Sequence, residues 1–383
     1  MALDLILACK HKKSKAALKL IESNSSKPEL IDDKNNTALI WACENDMVTV
    51  VSKLIDTSKS RSEHINNDKN TALLILCKKY YISDKMYNNI LKLIDTGNSR
   101  TEHIDNNGNN ALMLACKTDE DDEYYNKMRK LALKLIETDS IPEQVNNKNE
   151  TALNLACQNN MPDVALKLIE TGNFRPDNID NYYESTALIW ACYHEMHDVA
   201  LKLIETGNSR PGHINNNGDT ALINACYHNM TEVALKLIET GESRPEYYDD
   251  TENDEDNNNT ALIYACQNGM SEVALKLIET DNSRPDHANK YDETALILAC
   301  KNNMEEVALK LIETGESRPE FVNKDGNTAL IWACKNNMEE IALKLIETGN
   351  SKPEHIDKKK TTALIYACKN KMLDVILKLT SDN

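Results

Sequence analysis

Thr328-Ala329-Leu330-Ile331-Trp332-Ala333-Cys334 decides the architecture, because the chain returns to it at nearly constant intervals. The leading Thr recurs at 37, 71, 151, 186, 220, 260, 294, 328 and 362, and Asn110 takes its place once. Successive gaps are 34, 39, 41, 35, 34, 40, 34, 34 and 34 residues. A period in this range is the signature of stacked supersecondary units. Each copy is followed by a second block of the type Val307-Ala308-Leu309-Lys310-Leu311-Ile312-Glu313-Thr314-Gly315, and Leu3 to Glu22 reads as a truncated first copy. Repeat blocks therefore begin near 3, 37, 71, 110, 151, 186, 220, 260, 294, 328 and 362, eleven in all, and 1–383 reads as one repeat domain.

The residue types of one unit predict two short helices and a turn. Thr, or Asn110, is a good N-cap, since its side-chain oxygen accepts an orphan backbone N–H. Leu39, Ala42 and Cys43 fall at i, i+3 and i+4 and form one buried stripe. An Asn-Met turn such as Asn337-Met338 leads to a second helix whose acidic first turn, Glu339 and Glu340, suits the helix dipole. Gly315 and its equivalents supply a left-handed C-terminal stop, and Pro319 and its equivalents block continuation. The run Asn215 to Gly218 predicts a tight turn before the next Thr.

These blocks resemble the ankyrin repeat over essentially the whole chain. The resemblance implies an all-α ankyrin-repeat solenoid of about eleven helix–turn–helix repeats, with hairpin-like loops and a concave face that binds proteins. The chain departs from the usual pattern in having Ala where that family has Pro after Thr, Asn-Met for Gly-His, and a 34-residue period. Its bias toward Asn, Lys and Ile suggests an AT-rich genome, as in many protists and giant viruses.

Composition narrows the function. The net charge of −17, from 44 basic and 61 acidic residues, repels phosphate backbones and anionic lipid and favours a protein partner bearing a basic patch. No apolar stretch reaches the about 18 residues that would suggest a membrane span. The start, Met1 to Cys9, has no basic leader and aligns with a repeat, so an intracellular, cytoplasmic setting is expected, the host cytoplasm if the chain is viral; a monomer is expected as well. All eleven cysteines (9, 43, 77, 116, 157, 192, 226, 266, 300, 334 and 368) hold one repeat position, and eight methionines hold one turn position. Both series read as seam packing, and no Cys-x-x-Cys pair exists to start a zinc site. His194 and His197 lack metal-ligand spacing, and His64, His103, His213, His287 and His355 recur as loop architecture. No metal, cofactor or catalytic constellation emerges, so the chain is read as a non-enzyme.

Comparison among copies separates scaffold from surface. Trp41, Glu44 and Asn45 fall at i, i+3 and i+4, opposite Leu39 and Ala42, and the same stripe varies chemically in later copies. It supplies the candidate partner-binding residues Trp41, Trp190, Tyr193, His194, Asn224, Tyr227, His228, Tyr264, Trp332 and Tyr366. Aromatics beside polar groups are the composition of an interface hot spot, and the groove is expected from Trp190 to His228. Alternatively, each Trp caps the seam between neighbouring first helices. Three insertions break the period. Two are expected to extend the turn between helices, around Lys78 to Tyr87 and Thr118 to Met128. The third carries Asp249, Asp250, Glu252, Asp254, Glu255 and Asp256, a solvated loop or an acidic docking site for a basic partner. A non-catalytic scaffold is the leading function. The alternatives are an adaptor for ubiquitin ligation or host-factor sequestration by a virus or intracellular microbe, and an enzyme with a degenerate site.

Overall fold

The computed structural model describes residues 4–23, 26–57, 59–118, 123–138, 140–249 and 257–381. Among them are 22 α-helices, and no strand beyond three isolated bridges, Ile31 with Thr37, Tyr248 with Thr260 and Ala288 with Thr294. The loops are thus hairpin-like turns closed at most by one bridge. Contacts divide the chain into two compact units, Met1–Tyr182 and Tyr183–Asn383.

In the first unit the helix pairs are Asp4–Lys10 with Ser14–Glu22, Ala38–Glu44 with Val48–Ile55, Ala72–Cys77 with Asp84–Asp95, Ala111–Cys116 with Glu123–Ile136, and Ala152–Gln158 with Pro162–Glu170. In the second they are Ala187–Tyr193 with His197–Glu205, Ala221–Tyr227 with Thr231–Glu239, Ala261–Gln267 with Ser271–Ile278, Ala295–Lys301 with Glu305–Glu313, Ala329–Lys335 with Glu339–Glu347, and Ala363–Asn370 with Leu373–Ser381. Within each unit first helices pack on first helices and second on second.

Every full copy starts as its sequence dictates. The Thr294 hydroxyl accepts the Ile297 N–H at 3.3 Å, and Asn110 Oδ1 accepts that of Met113 at 2.9 Å. The residue before each turn Met is left-handed, with φ of 56° at Asn229, 58° at Asn303 and 60° at Asn337, which explains the preference for Asn there. Gly315, at φ 71°, ends its second helix in the same region.

The two early insertions do more than extend turns. They lengthen the second helices of their copies to 12 and 14 residues, against 8 or 9 in the other full copies. Ser83 caps the first of these through the Met86 N–H.

Asn is not merely compositional bias. At each finger tip among the described residues an Asn or Asp folds the turn through its side-chain oxygen. Asn323 Oδ1 accepts the Asp325 and Asn327 N–H groups at 3.1 and 2.9 Å, while the Gly326 N–H donates to the Asn323 carbonyl at 2.8 Å. The same residues tie consecutive fingers, as in Asn66 to Asn36, Asn146 to Asn109 and Asn289 to Asn259, each at 2.8 Å. The loop histidines reach back likewise: His64 to the Asn35 carbonyl at 2.8 Å and His287 to that of Asn258 at 2.8 Å.

Leu, Ala and Cys form the seams. Ten of the eleven cysteines are buried thiols and Cys368 is exposed. Burial raises the Cys9, Cys77, Cys266 and Cys334 thiols to about 12. A disulfide-forming reagent should therefore titrate one thiol rapidly in the native protein, Cys368, and the other ten only on unfolding. Rapid reaction of several thiols in native buffer would mean open seams. Thr294→Ala should cost about 1 kcal/mol of stability in urea unfolding, and Thr294→Ser should recover most of it.

Candidate functional site

The first helices of the blocks beginning at 186 and 220 are seven residues long and turn Leu188, Ala191 and Cys192, or Leu222, Ala225 and Cys226, into the seam. Helical spacing then presents Trp190, Tyr193 and His194, and Tyr227 and His228, on the other side. These rings form one contacting run, edge-to-face except where Trp190 stacks on His194. Tyr183 meets Trp190 at 5.0 Å, and Trp190 meets Tyr193 at 5.8 Å and stacks on His194 at 6.2 Å. Across the seam Tyr193 meets His228 at 6.1 Å. His228 meets Tyr227 at 4.6 Å, and Tyr227 meets Tyr264 at 5.2 Å. Such contacts add about 0.5–1.5 kcal/mol each beyond area burial and favour the edge-to-face orientations seen.

The members of this run differ in access. Tyr193 and Tyr227 are 50% and 53% exposed, whereas Tyr264 is 3% and Asn224 6% exposed. Trp190, His194 and His228 are half-buried. Asn224 and Tyr264 therefore stand behind the stripe rather than on it. Tyr264 donates its hydroxyl to the Asp249 carboxylate, which also accepts the Asn259 N–H. Asp249, expected in an acidic docking loop, is 5% exposed and shapes its own finger. Asp250, Glu252, Asp254, Glu255 and Asp256 lie outside the described residues.

The same brace recurs at two other candidate positions. The Trp41 indole N–H donates to Asp32 at 2.8 Å, and the Tyr366 hydroxyl to Asp357 at 3.0 Å. Both rings couple first helix to finger. Trp332 lacks this partner: its Nε1 has no hydrogen bond, and the Lys335 and Lys301 ammonium groups lie 3.9 and 6.0 Å from its ring centre.

The i+4 position of the stripe carries a function not legible as periodicity. Where it is Asn, the amide staples neighbouring first helices. Asn45, Asn159, Asn268, Asn302, Asn336 and Asn370 donate to the carbonyls of Cys9, Cys116, Cys226, Cys266, Cys300 and Cys334 at 2.7–2.9 Å. These amides are scaffold rather than free surface. His occupies the position at 194 and 228. His228 makes no such bridge: its Nδ1 sits 3.2 Å from the Glu195 carboxylate, and its Nε2 has no hydrogen-bond partner. The insertion-bearing copies replace the staple by Lys79 and Thr118, and the two copies with the exposed Tyr193 and Tyr227 replace it by His194 and His228.

Two features escaped the sequence reading. Tyr183, a finger residue, closes the aromatic run. In the Met1–Tyr182 unit a cavity of about 590 Å³ lies between the two insertion-bearing copies, lined by Lys78, Lys117, Tyr80, Tyr124, Asp105 and Leu114 among others. Its lysines are already paired, Lys78 with Asp105 at 2.9 Å and Lys117 with Glu150 at 3.5 Å. As for ligation, His197 Nδ1 is 2.8 Å from the Glu195 carbonyl while His194 stacks on Trp190. Among the described residues no group of three or more His, Cys, Asp or Glu is placed to hold a metal ion.

A family profile described as ankyrin repeats matches residues 5–92, 123–211, 173–246, 246–320 and 311–383. The chain belongs to the ankyrin repeat family. Ankyrin repeats are protein-interaction scaffolds, and this ankyrin chain presents its most varied residues on the first-helix face. No curated protein matches it in sequence. Among solved structures, the ankyrin repeat domain of Bcl-3, a member of the IkappaB protein family, is 21% identical; the match covers 60% of this chain and 99% of that one, with a TM-score of 0.42. An ankyrin repeat domain from Acinetobacter baumannii is 24% identical over 51% of this chain and 96% of its own, with a TM-score of 0.40. A chain from the complex of a predatory endopeptidase of Bdellovibrio bacteriovorus with an immunity protein is 24% identical over 52% and 99%, with a TM-score of 0.40. These likenesses concern the fold alone. Among the described residues no helix is long and apolar enough to cross a membrane.

Replacing His228 by Asn should restore the staple to Cys192 and Tyr193 and raise stability by about 1 kcal/mol in urea unfolding. An unchanged or lower midpoint would show that His228 already serves the seam as well as Asn does.

Proposed function

We propose that this ankyrin chain is a non-catalytic scaffold that holds a protein partner on the first-helix and finger face of the Tyr183–Asn383 unit, with Tyr193 and Tyr227 as the anchors. One observation carries the reading: two half-exposed tyrosines are packed edge-to-face by their neighbours where His228 forgoes the Asn staple. A scaffold residue would favour the staple, whereas a contact residue needs orientation and access. Preorganised aromatic side chains lose little entropy on binding and dominate interface energetics. An adaptor that passes its captured protein onward would use the same face. Buried thiols in a regular series support an intracellular, reducing setting.

Tyr193→Ala with Tyr227→Ala should weaken capture of the native partner by at least about 30-fold, the scale of a hot spot of 2 kcal/mol or more. Far-UV circular dichroism and the melting midpoint should stay near those of the parent. The partner is isolated by affinity capture from the source cell, identified by mass spectrometry and then titrated as a purified protein. Unchanged affinity, or loss of helix along with loss of binding, would assign these rings to packing.

A further inference from the structure

The position held by Tyr193 and Tyr227 changes character along the same unit. It is Gln267 in the next copy and then Lys301, Lys335 and Lys369. No acidic residue occupies it anywhere in the Tyr183–Asn383 unit, although the chain as a whole carries a net charge of −17. Lys301 is matched by Glu293 at 3.0 Å. Lys335 and Lys369 have no ion-pair partner among the described residues. They lie instead over aromatic rings, Lys335 at 3.9 Å from Trp332 and Lys369 at 5.3 Å from Tyr366.

The adjoining finger adds to this charge. Residues 358–371 contain five lysines and no carboxylate. Lys358 pairs with Asp325 at 3.0 Å, while Lys359 and Lys360 are exposed. Asp357 is buried and committed to the Lys359 and Thr361 N–H groups at 2.8 Å. Lys301 and Lys358 are thus paired and the Asp357 carboxylate is spent on turn formation, whereas Lys335 and Lys369 are left to face an incoming group.

We infer that the Lys335–Lys369 half of the face receives an acidic segment of the protein partner, while the residues flanking that segment lay apolar side chains on Tyr227 and Tyr193. The inference rests on the partner-binding reading above and adds its chemistry. It inverts what net charge alone suggests, because the acid of the whole chain and the base of this face are segregated. Spacing follows from layer thickness. Tyr227 and Lys301 are two copies apart, about 20 Å at 8–10 Å per packed helix, which about six extended residues span. A second interval of similar length carries the acidic tract from Lys301 to Lys369. A single-stranded nucleic acid is the competing polyanion. The exposed tyrosines disfavour it, because each is already held edge-to-face by a neighbour rather than left open as one of a series of stacking platforms.

The test uses the full chain and a fluorescein-labelled peptide of about twelve residues, with a Leu-Phe pair at one end and six glutamates at the other. Binding is followed by anisotropy, and by the emission of Trp332 in a Trp41→Phe, Trp190→Phe background where it is the remaining tryptophan. The peptide should bind, perturb Trp332 and weaken steeply with added salt. Lys335→Glu with Lys369→Glu should lower its affinity at least tenfold without altering helicity. Equal binding of the peptide with lysines in place of glutamates, indifference to the double charge reversal, or tighter binding of a 15-nucleotide DNA strand would each overturn the inference. If capture of the native partner is lost with the tyrosine substitutions but kept with the charge reversals, the aromatic reading stands and the acidic one falls. If neither set matters, both fall.

Discussion

Layer-on-layer burial is the constraint from which everything else in this chain follows. A pair of helices seven to nine residues long has no interior of its own. Its Leu, Ala and Cys side chains leave water only when another pair lies against them, so stability is a property of neighbours rather than of units. That is why the seam tolerates so little variety. Cys holds its position in every copy, and Ala holds its own in all but one, where the buried Leu76 stands instead. It is also why the thiols are held protonated: apolar helix flanks around them disfavour charge.

The second constraint is polar. Thin layers bring backbone groups and loops to every interface, and the chain meets them with Asn. One Asn folds the finger tip and ties it to the next finger, and another joins first helices at their C-terminal ends. The amide suits both tasks because it donates and accepts within one short side chain. Where His stands in place of the second Asn, the architecture gives way to something else, and the candidate contact residues are found there.

Much of this was legible beforehand. Thr and Asn110 caps, the buried Leu-Ala-Cys stripe, the Gly stops and the Asn turn all follow from local chemistry repeated at a fixed interval. What escaped was whatever depends on a neighbouring layer. Asn45 and Asn302 look like variable surface in a helical projection, and only the adjacent helix shows their amides to be staples. Tyr264 and Asn224 share a register with Trp190, yet both are buried, Tyr264 against Tyr227 of the preceding copy and the Asp249 carboxylate. Asp249 read as part of an acidic tract, but its carboxylate faces Tyr264 and the Asn259 amide. The insertions were visible as lapses in the period, but their use in lengthening a helix was not, since polar residues such as Lys85 and Asn88 suit a solvated loop as well as a solvated helix end. For the candidate site, sequence located the helix face, and exposure and ring geometry selected the two tyrosines within it.

The long second helices Asp84–Asp95 and Glu123–Ile136 bear on how such a chain finds its own order. Near-identical tandem copies invite mispairing, because one layer offers almost the same seam as the layer after it. The extended helices break that degeneracy. Lys127, on the added turn of the second, reaches Asp84 at 2.7 Å and the Ile82 carbonyl at 3.2 Å, contacts that no ordinary copy can offer. Sliding one layer against the next by a whole copy would forfeit those contacts, so these two layers are matched to each other and to no others.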